Sequence, residues 1–134
     1  MYQRVYSVPL FFKVSAVVLF CLFNVSCSGV FMKSIYLKED VHPVLVSKPD
    51  NEHLKISYKV PMESMFYSKG VDYEINEGVI KVYVSRCEVK KECNPMVTSS
   101  IPLDQNWQAE VTIPHHQEKV ILMHANGEQV IYPQ

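Results

Sequence analysis

Glycine is scarce in this chain, four among 134 residues, and no glycine-rich loop of the kind that cradles phosphate is present. A G-x-S-x-G elbow is also missing, so nucleotide binding and serine hydrolysis both lack a local signature. Carboxylate pairs for glycoside hydrolysis can be imagined among 14 acidic residues, but no spacing singles out two of them. Positive charge is not concentrated either. Lysine and arginine total 13 against those 14 acids, and the doublet Lys90-Lys91 lies between Glu88 and Glu92. That balance argues against nucleic acid, and against electrostatic adsorption to an anionic surface. There is no internal repeat and no convincing amphipathic helix.

What is present begins with residues 14–23, an almost unbroken apolar block behind Arg4 and Lys13. Its length suits the hydrophobic region of a secretory signal and is short for a membrane span of roughly 20 residues. Val25, Ser26 and Cys27 follow. This run resembles the lipobox of bacterial lipoproteins, with Asn24 standing where that family usually has leucine. The resemblance implies cleavage before Cys27 and acylation of its sulfur, and Ser28 resembles an outer-membrane sorting residue in a diderm host. The expected organisation is a signal peptide at 1–26, a lipidated tether at 27–32 and one domain at 33–134. Ordinary cleavage after Ser28 or Gly29, giving a secreted protein, and an uncleaved signal anchor are the alternatives. All three place the domain outside the cytoplasm.

Loss of the signal leaves about 108 residues, enough for one core and too few for two. Arg4 and Lys13 leave with it, which makes the domain mildly acidic. The four cysteines then divide without remainder. Cys21 is discarded, Cys27 carries lipid, and Cys87 and Cys93 form a disulfide in an oxidising compartment. No thiol is left over as a nucleophile. A zinc site at this pair is disfavoured, because C-x5-C is wider than the usual spacing and no second ligand pair lies nearby.

The remaining sequence alternates with period two. Residues 54–60 (LKISYKV) place Leu54, Ile56, Tyr58 and Val60 on one side and Lys55, Ser57 and Lys59 on the other, as a half-wet strand does. Short extended runs are expected at 33–38 and 44–47, the second between Pro43 and Pro49. After Pro61, the spacing of Met62, Met65 and Phe66 fits either one helical turn or an irregular edge segment. Residues 71–75 and 79–87 read as a hairpin around a three-residue Asn76-Glu77-Gly78 loop. The returning strand is apolar on both sides, so it is central or faces a partner. Residues 94–106 lack periodicity, 107–113 alternate behind Trp107, and 119–132 form a second hairpin around Asn126-Gly127.

Seven or eight such strands predict a small antiparallel β-sandwich of immunoglobulin-like architecture, with an open barrel as the alternative. It is not a true immunoglobulin domain, because the cysteine pair is local and Trp107 follows both cysteines. Candidate interaction residues cluster after the central strand: Glu88, Lys90, Lys91, Glu92, Asn94, Met96 and Asp104. Loops at a sandwich end commonly carry binding residues. His115, His116 and His124 are candidate copper or zinc ligands if Glu118 joins them, although adjacent histidines on extended backbone point to opposite sides. Met62, Met65, Met96 and Met123 are candidate soft copper ligands or core filling. The expectation is a non-catalytic, cofactor-free binding or assembly subunit of the bacterial cell envelope. It would be tethered to the membrane through lipid and joined to an unidentified envelope protein. A periplasmic metal-binding domain is the alternative and an envelope hydrolase a third possibility.

Overall fold

The computed structural model describes residues 34–102 and 107–133, all within the compact unit Lys33–Gln134. The signal segment, Cys27 and the tether lie outside the described residues, as does Asp104. No helix occurs among the described residues. The strands are β1 (Val44–Ser47), β2 (His53–Lys59), β3 (Phe66–Tyr67), β4 (Gly70–Asn76), β5 (Val79–Val84), β6 (Cys87–Glu88), β7 (Val97–Thr98), β8 (Gln108–Pro114), β9 (Lys119–His124) and β10 (Gly127–Tyr132).

The molecule is an all-β sandwich. One sheet has the order β1-β2-β8, the other β10-β9-β5-β4-β7, and β3 pairs with β6 as a separate ribbon. The alternation expected over 54–60 is realised: Leu54, Ile56 and Tyr58 of β2 are buried and meet Ala109, Val111 and Ile113 of β8 in register. From the opposing sheet come Ile80, Val82 and Val84 of β5 with Val120 and Leu122 of β9. β5 is central, flanked by β4 and β9; its Ile80, Val82 and Val84 face is buried, while the Val79 and Tyr83 face is half-buried. All neighbouring pairs are antiparallel except β5 and β9, which run parallel.

Several local expectations change. The described residues contain ten strands rather than seven or eight, because β3, β6 and β7 are two residues each and carry too little pattern to read. Phe66 and Tyr67 are extended and pair with Glu88 and Cys87. The helical spacing of Met62, Met65 and Phe66 was therefore misleading; the strand partner supplies hydrogen bonds that a lone turn could not. In the first hairpin Asn76 pairs directly with Val79, leaving a two-residue turn in which Glu77 (φ 49°) and Gly78 (φ 76°) are both left-handed. That is a type I′ turn, whose twist matches the strands. The extended run expected at 33–38 reduces to a single bridge between Ile35 and Ser85.

Polar groups tie the two sheets together at the start of β4. The Gly70 carbonyl accepts from the Ser85 amide (3.0 Å) and the Ser85 hydroxyl (2.6 Å) within its own sheet. Tyr58, from β2 in the opposite sheet, reaches across to the same carbonyl (3.2 Å) and to the Ser68 hydroxyl (2.8 Å). Burial pushes the Tyr58 phenol up to about 12, so it stays a neutral donor. Gly70 is required for a different reason: a Cβ there would lie 1.9 Å from the Val97 carbonyl oxygen. Only glycine lets β7 approach β4 this closely.

Gly70→Ala is accordingly expected to lose about 2–3 kcal/mol of stability in urea titration, through overpacking against backbone. Gly78→Ala, with open space around it but a positive φ, should lose about 1 kcal/mol. Equal losses at the two glycines would contradict this account.

Candidate functional site

Because β5 and β9 are parallel and in register, their C-terminal ends lie at the same end of the sandwich. The chain enters the described domain there. Ser34 accepts from the Arg86 amide (3.2 Å), and the Tyr36 carbonyl accepts from the Ala125 amide (2.9 Å). Tyr36 itself is buried, and its hydroxyl has no hydrogen-bond partner among the described residues. Burial raises its pKa, with Glu63 adding to the effect.

Arg86 is the centre of this end. Its guanidinium grips the Glu63 carboxylate through both Nε and Nη2 and stacks 3.7 Å from the Phe66 ring centroid. A planar, two-pronged cation over an aromatic face is an arrangement lysine could not reproduce. It joins the β2–β3 connection, β3 and the start of β6. Sequence reading missed it, since Glu63 and Arg86 are 23 residues apart and neither carries a motif.

Beyond Arg86 the β3–β6 ribbon continues in register, so that Met65 lies opposite Val89, whose amide donates to the Met65 carbonyl (2.9 Å). Both side chains are exposed, as is Met62. The disulfide between Cys87 and Cys93 is formed, with Cα atoms 5.8 Å apart. The Lys69 ammonium donates to the Cys93 carbonyl (3.0 Å), holding the loop to the domain.

The candidate interaction residues fall into three groups. Glu88 pairs with Lys91 (2.7 Å), and Glu92 accepts from Asn94 (2.7 Å), so much of the loop's charge is satisfied locally. Lys90 is exposed. Met96 is exposed, and its amide donates to the Asp72 carboxylate (3.0 Å), which sets it beside β4. Asp104 is not among the described residues. Of the four candidate methionines, Met62, Met65 and Met96 project from the surface, where they do not fill the core.

The three candidate histidines are not brought together. His115 is buried beside Tyr132, their rings edge to face at 4.9 Å. Its Nε2–H donates to the Glu118 carbonyl (2.8 Å), and its Nδ1 is buried with no hydrogen-bond partner among the described residues. His116 is exposed. Its amide and that of Gln117 both donate to the Glu118 carboxylate (2.8 and 3.1 Å), and the His116 bond is the main cause of that carboxyl's lowered pKa. His124 closes β9 at the opposite end. Among the described residues no group of three His, Cys, Asp or Glu side chains is placed to hold a metal ion. No protein-family model matches the chain, and neither a curated protein nor a solved structure matches it significantly.

Two measurements check this geometry. His124 is buried, and desolvation lowers its pKa from 6.5. The unfolded chain therefore binds that proton more tightly, and the stability present above pH 6.5 is lost as pH falls through 6.5 toward the folded value. Stability measured from about pH 7.5 to 5.5 should decline, and less steeply in His124→Gln. Reducing the disulfide should cost about 2 kcal/mol, as a small closed loop predicts, while the strand signal in far-UV circular dichroism survives.

Proposed function

We propose that this chain is an exported, lipid-anchored β-sandwich that works by binding, as a non-catalytic assembly subunit of a bacterial cell envelope, with an outer-membrane anchor facing the periplasm. The observation that carries this reading is the Cys87–Cys93 bond closing a surface loop directly after the central strand. A formed disulfide suits an oxidising compartment, and a stiffened loop at a sandwich end suits recognition, because less ordering entropy is lost on binding. The partner surface is assigned to the far side of that loop, Asn94 and Met96, where the Met96 side chain is exposed and its backbone amide is held by the Asp72 carboxylate. Methionine is well suited to such contacts, being flexible and polarisable. The expected partner is an envelope protein presenting an apolar contact.

The test is a photo-reactive residue in place of Met96, activated in intact cells of the native host. One discrete adduct with an envelope protein is expected. The same residue at Thr112, exposed on the three-stranded sheet, should give none. Identical adduct patterns at the two positions, or none at Met96, would remove the reading.

A further inference from the structure

We infer that the tip of the β3–β6 ribbon, Met65 and Val89 with Met62 in the preceding connection, is a membrane-contact element that seats the domain on the interface of the bilayer holding its anchor. The inference rests on the lipid anchor at Cys27 proposed above.

The argument starts from where the chain enters. Ile35 bridges Ser85 in antiparallel fashion, and Ser34 accepts from the Arg86 amide. At this point the incoming chain runs opposite to the Ser85-Arg86 backbone. It therefore arrives from the side toward which the chain from Arg86 into β6 runs, and the ribbon tip lies in that direction. Six residues, 28–33, separate Cys27 from Ser34. Fully extended, that connection allows about 25 Å between the acylated cysteine and the domain's entry point. A lipid held so close brings this end of the sandwich, and no other, to the headgroup layer.

The surface found at that end is suited to it. Met62 is 75%, Met65 46% and Val89 57% exposed. Met65 and Val89 are hydrogen-bonded neighbours across the ribbon, and Lys90 and Lys91 follow at its shoulder, exposed, Lys91 paired with Glu88. Apolar side chains at a tip with lysines behind them match the gradient from acyl chain to headgroup, lysine stems lying along the interface while their ammonium groups stay wet. The ribbon is braced for the task by the Arg86–Glu63 pair stacked on Phe66 and by the Cys87–Cys93 bond. Because the chain carries 13 basic against 14 acidic residues, attraction to anionic lipid is not the driving force. Apolar contact, made effective by the tether's high local concentration, is.

The experiment uses the native chain without substitution. The acylated protein, purified from its host, is reconstituted into vesicles of zwitterionic phosphatidylcholine and phosphatidylethanolamine and treated briefly with peroxide. Sulfoxide at each methionine is then read by peptide mass spectrometry. Met96, 61% exposed and held beside β4 by Asp72, is the internal reference. Met62 and Met65 are expected to oxidise severalfold more slowly than Met96, equally so at low and high salt and at every protein-to-lipid ratio. Equal oxidation of the three would overturn the inference. Protection that disappears as protein is diluted in lipid would do so too, by assigning the cover to a second copy. Protection seen in native envelopes but absent from the vesicles would assign it to a protein partner and overturn it equally. The intact mass of the same sample reports acylation at Cys27, so a missing anchor and an uncovered tip are told apart.

Discussion

One backbone carbonyl, that of Gly70, holds this sandwich in register. It lies where β4 begins, takes two hydrogen bonds from Ser85 in the neighbouring chain segment and a long one from the Ser68 hydroxyl (3.4 Å), and takes another from a tyrosine that belongs to the other sheet. Apolar packing alone would let two twisted sheets slide, since the hydrophobic effect is proportional to area and indifferent to direction. A buried phenol that must find its acceptor is directional, and leaving it unpaired would carry a desolvation penalty of about 1–3 kcal/mol. Tyr58 therefore fixes the position of β2 relative to β4, and the missing side chain at Gly70 admits β7 alongside. The placement of the 87–93 loop follows, because its far end runs into β7.

The polar residues of the entry end extend the same logic outward. Arg86 leaves β5 just after Ser85 and turns its guanidinium to Glu63 and Phe66, so the segment fixing the sheets also fixes the ribbon. Tyr36, whose ring centroid lies 5.9 Å from the guanidinium, is buried, as is Val41, and Asn126 bonds both the Lys38 amide (2.8 Å) and the Glu39 carboxylate (2.9 Å). The first residues of the domain are thus part of its core and turns. Whatever precedes Ser34 is joined to a rigid body at a defined point.

How much of this was legible in the sequence depended on how far each interaction reaches. The longer strands were visible because a half-buried strand writes its burial into a period of two. Leu54, Ile56 and Tyr58, or Ala109, Val111 and Ile113, need no knowledge of their partners to be recognised. The cysteine pairing was legible for a similar reason, since Cys87 and Cys93 are neighbours in the chain and can be joined in only one way. The two-residue strands were not, because pairing and not pattern makes them strands. Met62, Met65 and Phe66 showed helical spacing by coincidence, and only the presence of Glu88 and Cys87 opposite Phe66 and Tyr67 reveals an extended backbone. The Arg86–Glu63 pair and the Tyr58–Gly70 bond were invisible for the same reason: both are long-range consequences of the sheets having met. Among the candidate site residues, sequence neighbours such as Glu88 and Lys91 did come together. The histidines, separated by the full length of β9, did not.

The parallel contact between β5 and β9 has a consequence for how the molecule comes into being. Val79 sits beside Lys119 and Tyr83 beside Met123, so the middle of the larger sheet is assembled from segments far apart in the chain. Such a join cannot be made by a hairpin and must wait for a large loop to close. A polypeptide emerging N-terminus first would deliver β1, β2 and the β4–β5 hairpin early, with the edge of β5 bare until β9 arrived. During that interval the bare edge of β5 offers unpaired backbone groups to any other strand, and the final hairpin, β9 with β10, is the piece that covers it.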